Sequence, residues 1–132
     1  LLTPDGDIVA VLDWEICTLG DPLADLGLLV VYWGEEGSTF SALPGSPTAA
    51  EGFPPASALV HRYADVSGRD VAAIDFYVAF GYWKLACILE GVFARYKGGA
   101  MGSGNEGWEA FSHQVELLAE AARTTVSRMG SG

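Results

Sequence analysis

Asp13 is the first residue of the chain whose type and place could support chemistry. It directly follows Ile8-Val9-Ala10-Val11-Leu12, a continuous β-branched run of the kind that forms a strand buried on both faces. A carboxylate at the mouth of such a strand is well placed to hold a hard divalent cation, because Mg²⁺ takes one or two carboxylates and completes its shell with water and substrate phosphates. The same Asp after a strand is also an ordinary turn residue, and in isolation the turn is the commoner case. Asp25 supplies a second clue. It sits one turn into an otherwise apolar segment, Pro22 to Trp33, where a buried charge without donors is strongly destabilising. Backbone N–H groups of a neighbouring loop would satisfy it and make Asp25 a brace for that loop. A solvent gap, or a role at the helix N-terminus, accounts for it equally well.

Together these residues form a more specific pattern. Val11-Leu12-Asp13-Trp14-Glu15, followed by Gly20-Asp21-Pro22-Leu23-Ala24-Asp25-Leu26-Gly27, resembles the metal-binding segment of the aminoglycoside phosphotransferase family of kinase-like enzymes. The resemblance implies that Asp13 matches the Asp of the protein-kinase Asp-Phe-Gly motif and chelates Mg²⁺ bound to ATP. It also implies that Asp25 braces the catalytic loop from the following helix, and that Glu15 is an acidic position near the metal. Phe80-Gly81-Tyr82-Trp83-Lys84-Leu85-Ala86 and Glu90-Gly91-Val92-Phe93-Ala94-Arg95-Tyr96 resemble the subgroup related to kinase-like domains fused to some acyl-CoA dehydrogenases. In the family, a His-Gly-Asp segment and an Asn, supplying the catalytic base and a second metal ligand, precede the hairpin, after an N-terminal nucleotide-binding lobe. Neither is present in these 132 residues. The chain therefore reads as the larger part of a C-terminal lobe, from a parent that phosphorylates a small-molecule hydroxyl acceptor with ATP and Mg²⁺. By itself it is expected to be inactive, because phosphoryl transfer depends on several groups positioning and neutralising the phosphates together. The alternative is a non-catalytic helical interaction module or pseudokinase remnant.

Tyr77, Tyr82, Trp83, Glu90 and Arg95 could line an acceptor pocket, as this region does in the family, although core packing is the commoner role for any one of them. Lys84 and Glu90 are six apart and do not form an i,i+4 pair. Gly102-Ser103-Gly104-Asn105-Glu106-Gly107 fits a dinucleotide fingerprint but follows a helix instead of a strand, so it reads as a connector. His61 and His113 lack the spacing of a metal site, and no nucleophile elbow is present.

The elements that must position these residues begin with a turn. Thr3-Pro4-Asp5-Gly6-Asp7 predicts a tight hairpin turn, with Ile8 to Leu12 as one strand and only Leu1 and Leu2 opposite, as though the partner strand belonged to a longer chain. Asp21-Pro22 starts a core helix running to about Trp33. Residues 34–57, with four prolines, form a long flexible loop that lines a site or moves. A short helix from Ala56 to Val66, a long one from Val71 to Lys97 capped by Asp70, and a last one from Trp108 to Met129 follow. Phe76, Phe80, Trp83, Cys87, Ile88 and Val92 recur at helical spacing and should pack heavily. In the last helix Trp108, Phe111, Val115, Leu118, Ala122 and Val126 form one stripe. The fold class is mainly α (α+β): a β-hairpin stub followed by a helical body, in a single partial domain.

Composition sets the outer limits. With 7 Lys and Arg against 17 Asp and Glu, the net charge is −10, which disfavours phosphate backbones and anionic membrane surfaces. Half the residues are hydrophobic, so the chain must bury a core. The longest apolar run, Leu26 to Gly34, is far short of the ~20 residues that cross a bilayer, and Lys84 interrupts the next candidate. No signal peptide is evident. Cys17 and Cys87 each sit in apolar sequence and are expected to be reduced, buried thiols in the cytoplasm. The uncovered hairpin edge and first helix predict self-association or a companion N-terminal fragment.

Overall fold

The computed structural model describes residues 1–35, 46–100 and 110–130. Four α-helices make up the body: α1 (Leu23–Tyr32), α2 (Ala56–Ser67), α3 (Ile74–Lys97) and α4 (Ala110–Met129). Single 3-10 turns occur at Trp14–Ile16 and Pro47–Ala49. The central element is α3, which packs against α1 on one side and α4 on the other. The core lies where these three meet: Val31, Leu85, Ala86 and Leu118 are buried, with Val78, Tyr82, Leu89 and Val115 closing around them. Leu118 is 0% exposed and anchors α4. No residue of α2 is fully buried.

The crossing of α1 and α3 depends on small residues. Gly27 lies directly against the backbone of Tyr77: a Cβ there would stand 2.5 Å from the Tyr77 carbonyl carbon and 2.6 Å from its oxygen. On the α3 side a Cβ at Gly81 would lie 3.1 Å from Val31 Cγ2 and 3.3 Å from Leu28 Cα. Contact this close to backbone admits no side chain at Gly27, whereas at Gly81 the neighbours need give only a few tenths of an ångström.

Side-chain hydrogen bonds at Asp21 and Asp70 turn the chain just ahead of α1 and α3. Asp21 Oδ1 accepts the Leu23 N–H at 2.9 Å, starting α1. Asp70 Oδ1 accepts the Ala72 N–H at 2.8 Å, but a turn intervenes and α3 begins at Ile74. At the other end of α1 the chain is fastened to the Pro47–Ala49 turn. The Gly34 N–H donates to Thr48 Oγ1 at 2.8 Å and to Ser46 Oγ at 3.2 Å, while the Thr48 hydroxyl donates back to the Gly34 carbonyl at 3.1 Å. Trp33 Nε1 donates to the Pro54 carbonyl, and the Ala56 N–H at the start of α2 donates to Glu35 Oε1. Thr48→Val removes all three hydrogen bonds of the Thr48 hydroxyl, the third being to Ser46 Oγ at 2.9 Å, and leaves the Ser46 bonds to Gly34 and the Tyr32 carbonyl in place; it should cost about 1 kcal/mol, lowering the melting temperature by roughly 3–5 °C in a circular dichroism melt.

Several expectations are corrected. The turn forms as its sequence predicts, with Gly6 at φ 91° and its N–H donating to the Thr3 carbonyl. The hairpin stub does not: a single Leu2–Ile8 antiparallel bridge is all that follows, and no strand is present among the described residues. Val11 and Leu12 are 61% and 60% exposed, because two residues opposite offer no ladder and no helix covers either face. Cys17 and Cys87 are exposed free thiols, not buried ones. The stripe along α3 faces outward, with Phe76 53% and Trp83 57% exposed. The smaller residues Ala79, Gly81 and Ala86, together with Leu85, take the packed face because only they allow the close approach to α1 and α4. In α4, Thr125 takes the buried place expected of Val126, its hydroxyl donating to the Ala121 carbonyl at 2.9 Å.

By length and composition α3 is apolar enough to cross a membrane. It carries Lys84 near its middle and Glu90 in its second half, and it packs against α1 and α4. The Gly102–Gly107 connector, Trp108 and residues 36–45 of the 34–57 loop lie outside the described residues.

Candidate functional site

Asp13 stands at the head of the Trp14–Ile16 turn in the left-handed conformation, φ 63° and ψ 31°. It is the one non-glycine residue with positive φ among the described residues. Asp tolerates this region better than most residues because its short side chain can hydrogen-bond locally. Here the side chain makes no such bond to the turn. A conformation disfavoured by ~1 kcal/mol or more, with no local compensation, is characteristic of functional positions. It also holds the carboxylate in solvent, where a ligand can reach it. Glu15, two residues on, is exposed as well.

Asp25 occupies the first turn of α1 and is exposed, not buried. Within this chain its carboxylate faces solvent, and the loop that it would brace is not among these residues. The helix rotates Leu23, Leu26, Gly27 and Val31 into the core, and Asp25 falls on the opposite side. No cluster of three or more metal-ligating side chains occurs among the described residues. The surrounding field is nonetheless strongly negative: residues 1–61 contain nine Asp and Glu and no Lys or Arg, the first basic residue being Arg62.

Asp21 and Tyr77 were not legible as a pair. The Tyr77 hydroxyl donates to Asp21 Oδ2 at 2.6 Å across a separation of 56 residues. This bond, then the Leu23 N–H, holds the Asp21 carboxyl below its ordinary range, with Arg69 adding a small favourable charge. The Tyr77 phenol is raised above its ordinary value by the same bond first and by burial second. The bond needs ionised Asp21 and neutral Tyr77. It should therefore be present above the ordinary carboxylate range and weaken as pH falls through the lowered Asp21 value. It should weaken again as pH rises through the raised Tyr77 value. Ultraviolet difference titration of wild type against Tyr77→Phe should show the missing phenol ionising later than a free tyrosine; ionisation at the ordinary value would contradict the pairing.

The four other candidates do not converge. Tyr82 turns towards α4 and lines a groove of about 330 Å³ with Glu120, Thr124 and Arg128; burial raises its phenol, and the nearby Arg128 charge opposes this. Trp83 points outward against Phe80, ring centroids 5.7 Å apart. Glu90 and Arg95 are exposed further along α3. The exposed histidines His61 and His113 sit on α2 and α4.

The model of the phosphotransferase enzyme family matches residues 1–77, the span that holds Asp13, Glu15, Asp21, Asp25 and Gly27. The chain belongs to this family. Membership implies a kinase-like fold. Among curated relatives, the human protein named acyl-CoA dehydrogenase family member 11 is 31% identical over 115 residues, covering 86% of this chain and 14% of its own length. Its chicken (Gallus gallus) counterpart is 33% identical over 121 residues, covering 88% and 15%. An Arabidopsis thaliana protein named probable acyl-CoA dehydrogenase IBR3 is 27% identical over 135 residues, covering 92% and 15%. The chain thus spans about 15% of the length of such relatives. No solved structure matches it.

Proposed function

We propose that this chain is the metal-binding and acceptor-side part of an ATP- and Mg²⁺-dependent phosphotransferase that acts on a hydroxyl group. The observation that carries the reading is Asp13: an exposed carboxylate within the span that the family matches, in a left-handed conformation that no local bond compensates. The donor chemistry fits Mg²⁺, which binds through one or two carboxylates and substrate phosphates, so Asp13 would hold it, with Glu15 close by. Bound there, Mg²⁺ would neutralise phosphate charge. Asp13 is then a fixed anchor for the phosphate end of the nucleotide. Asp25, exposed on α1, would accept backbone N–H groups of a catalytic loop contributed by the longer protein. The chain alone offers no catalytic base and is proposed to be inactive by itself.

The acceptor would lie near α3, with Tyr82 the best-placed of the candidates because it is half-buried in a largely apolar groove that Glu120, Thr124 and Arg128 border. Relatives named for acyl-CoA dehydrogenases direct the acceptor screen towards hydroxyacyl compounds. The full-length protein should form ADP from ATP only with an acceptor and Mg²⁺, and EDTA should abolish turnover. Absence of turnover across hydroxyacyl, sugar and aminoglycoside acceptors would overturn the reading.

A second reading is favoured by the outward stripe of Phe76, Phe80, Trp83 and Ile88: a helical interaction module that self-associates or pairs with a companion segment, without Mg²⁺ dependence. A monomer of 13.9 kDa in sedimentation would count against it.

A further inference from the structure

We propose that Tyr77 is a positioning residue for the Asp13 segment, its phenol latching residues 13–22 onto α3 through Asp21. This rests on the reading of Asp13 as the metal anchor. Asp13 to Glu15 and Cys17 to Asp21 are exposed. Their internal support is one backbone bond, Cys17 N–H to the Trp14 carbonyl. On the other side of Asp13, Val9, Val11 and Leu12 are exposed and make no sheet. Among the described residues, the Tyr77–Asp21 bond is the hydrogen bond that fastens this stretch to the helical body beyond the first turn of α1.

The two oxygens of Asp21 divide the task. Oδ1 accepts the Leu23 N–H and starts α1, and Oδ2 accepts the Tyr77 hydroxyl. A bond to an ionised carboxylate is shorter and stronger than one between neutral groups, and 2.6 Å fits that class. The other end of the latch is equally fixed. The Tyr77 backbone is pressed against Gly27 of α1, so its Cα cannot shift relative to that helix. A phenol has few rotatable bonds, and its oxygen is therefore delivered to one place. The Phe76 ring, edge-on to Tyr77 at 5.2 Å, further limits ring rotation. The close approach at Gly27 thereby sets where Asp21 is held, and Asp21 sets where the chain leading back to Asp13 begins.

The decisive variant is Tyr77→Phe, which keeps the ring and removes only the hydroxyl. In the full-length protein it should raise the apparent KM for Mg·ATP by about fivefold while leaving the acceptor KM unchanged, a split that general destabilisation would not produce. Amide hydrogen exchange of residues 14–21 should quicken by a similar factor while α3 residues 79–89 keep their protection. Asp21→Asn retains an oxygen for the Leu23 N–H, so the double variant Asp21→Asn/Tyr77→Phe should be no worse than the poorer single one. Unchanged exchange at 14–21 in Tyr77→Phe, or fully additive effects in the double variant, would overturn the latch. If the wild-type protein shows no Mg·ATP turnover, the phosphotransferase reading fails and the latch is decided by exchange alone.

Discussion

Gly27→Ala is expected to destabilise the protein by about 3 kcal/mol, at the upper end of what added methyl groups cost in packed interiors. The added Cβ would meet the Tyr77 carbonyl carbon, its oxygen and its Cβ at 2.5, 2.6 and 2.7 Å. Two of these atoms are backbone in the first turn of α3, so no rotamer change relieves the overlap. The helices would have to separate, which reopens space around Val31 and Leu85 at the centre of the core. Alanine's better helix propensity returns ~1 kcal/mol and does not offset this. A melting temperature lower by roughly 10 °C is the expected reading. Gly81→Ala is the informative control at the same crossing. Its Cβ meets the end of the Val31 side chain at 3.1 Å and the backbone of Leu28 and Gly27 at 3.3 and 3.4 Å, contacts that a shift of a few tenths of an ångström relieves, and the propensity gain should leave the melting temperature near wild type. Equal effects at the two glycines would mean that the crossing is not as close as described.

These glycines show why part of the fold was legible and part was not. Turn chemistry is local, so the Thr3–Asp7 turn, the Asp21 and Asp70 turns just ahead of α1 and α3 and the existence of four helices follow from short stretches of sequence. The face a helix buries depends on its neighbours. In α3 the large residues Phe76, Phe80 and Trp83 have the right period for a core stripe, yet the small-residue face is buried because α1 approaches at backbone distance. Period alone does not distinguish a stripe that packs within this chain from one left outward. The apolar run Ile8 to Leu12 reads as a buried strand for a similar reason: its composition fits a sheet, but burial requires partners that composition does not supply. At the site, Asp13 and Asp25 were found through their spacing around Gly20-Asp21-Pro22, a local pattern. Tyr77 could not be found that way, since a bond across 56 residues leaves no mark on either segment.

Asp13→Asn should lower Mg²⁺-dependent phosphoryl transfer by the full-length protein by about a thousandfold, the scale reached when one charge-stabilising group is removed from a reacting centre. The choice of Asn follows from the backbone. Asp13 is held at φ 63°, where alanine would add a conformational cost of ~1 kcal/mol and confuse lost function with lost structure. Asn enters the left-handed region as readily as Asp does, matches its size and removes only the charge. Because Asp13 is exposed and its side chain makes no bond to the turn it heads, the melting temperature should stay within about 2 °C of wild type. Asp13→Gly takes the argument one step further. Glycine relieves the left-handed conformation, so this variant should be at least as stable as wild type and equally inactive. A stable, inactive pair identifies a residue whose strained backbone serves the site and not the fold. Retention of Mg²⁺-dependent turnover in Asp13→Asn would remove Asp13 from the metal site, and a marked loss of stability in Asp13→Gly would make it a structural turn residue.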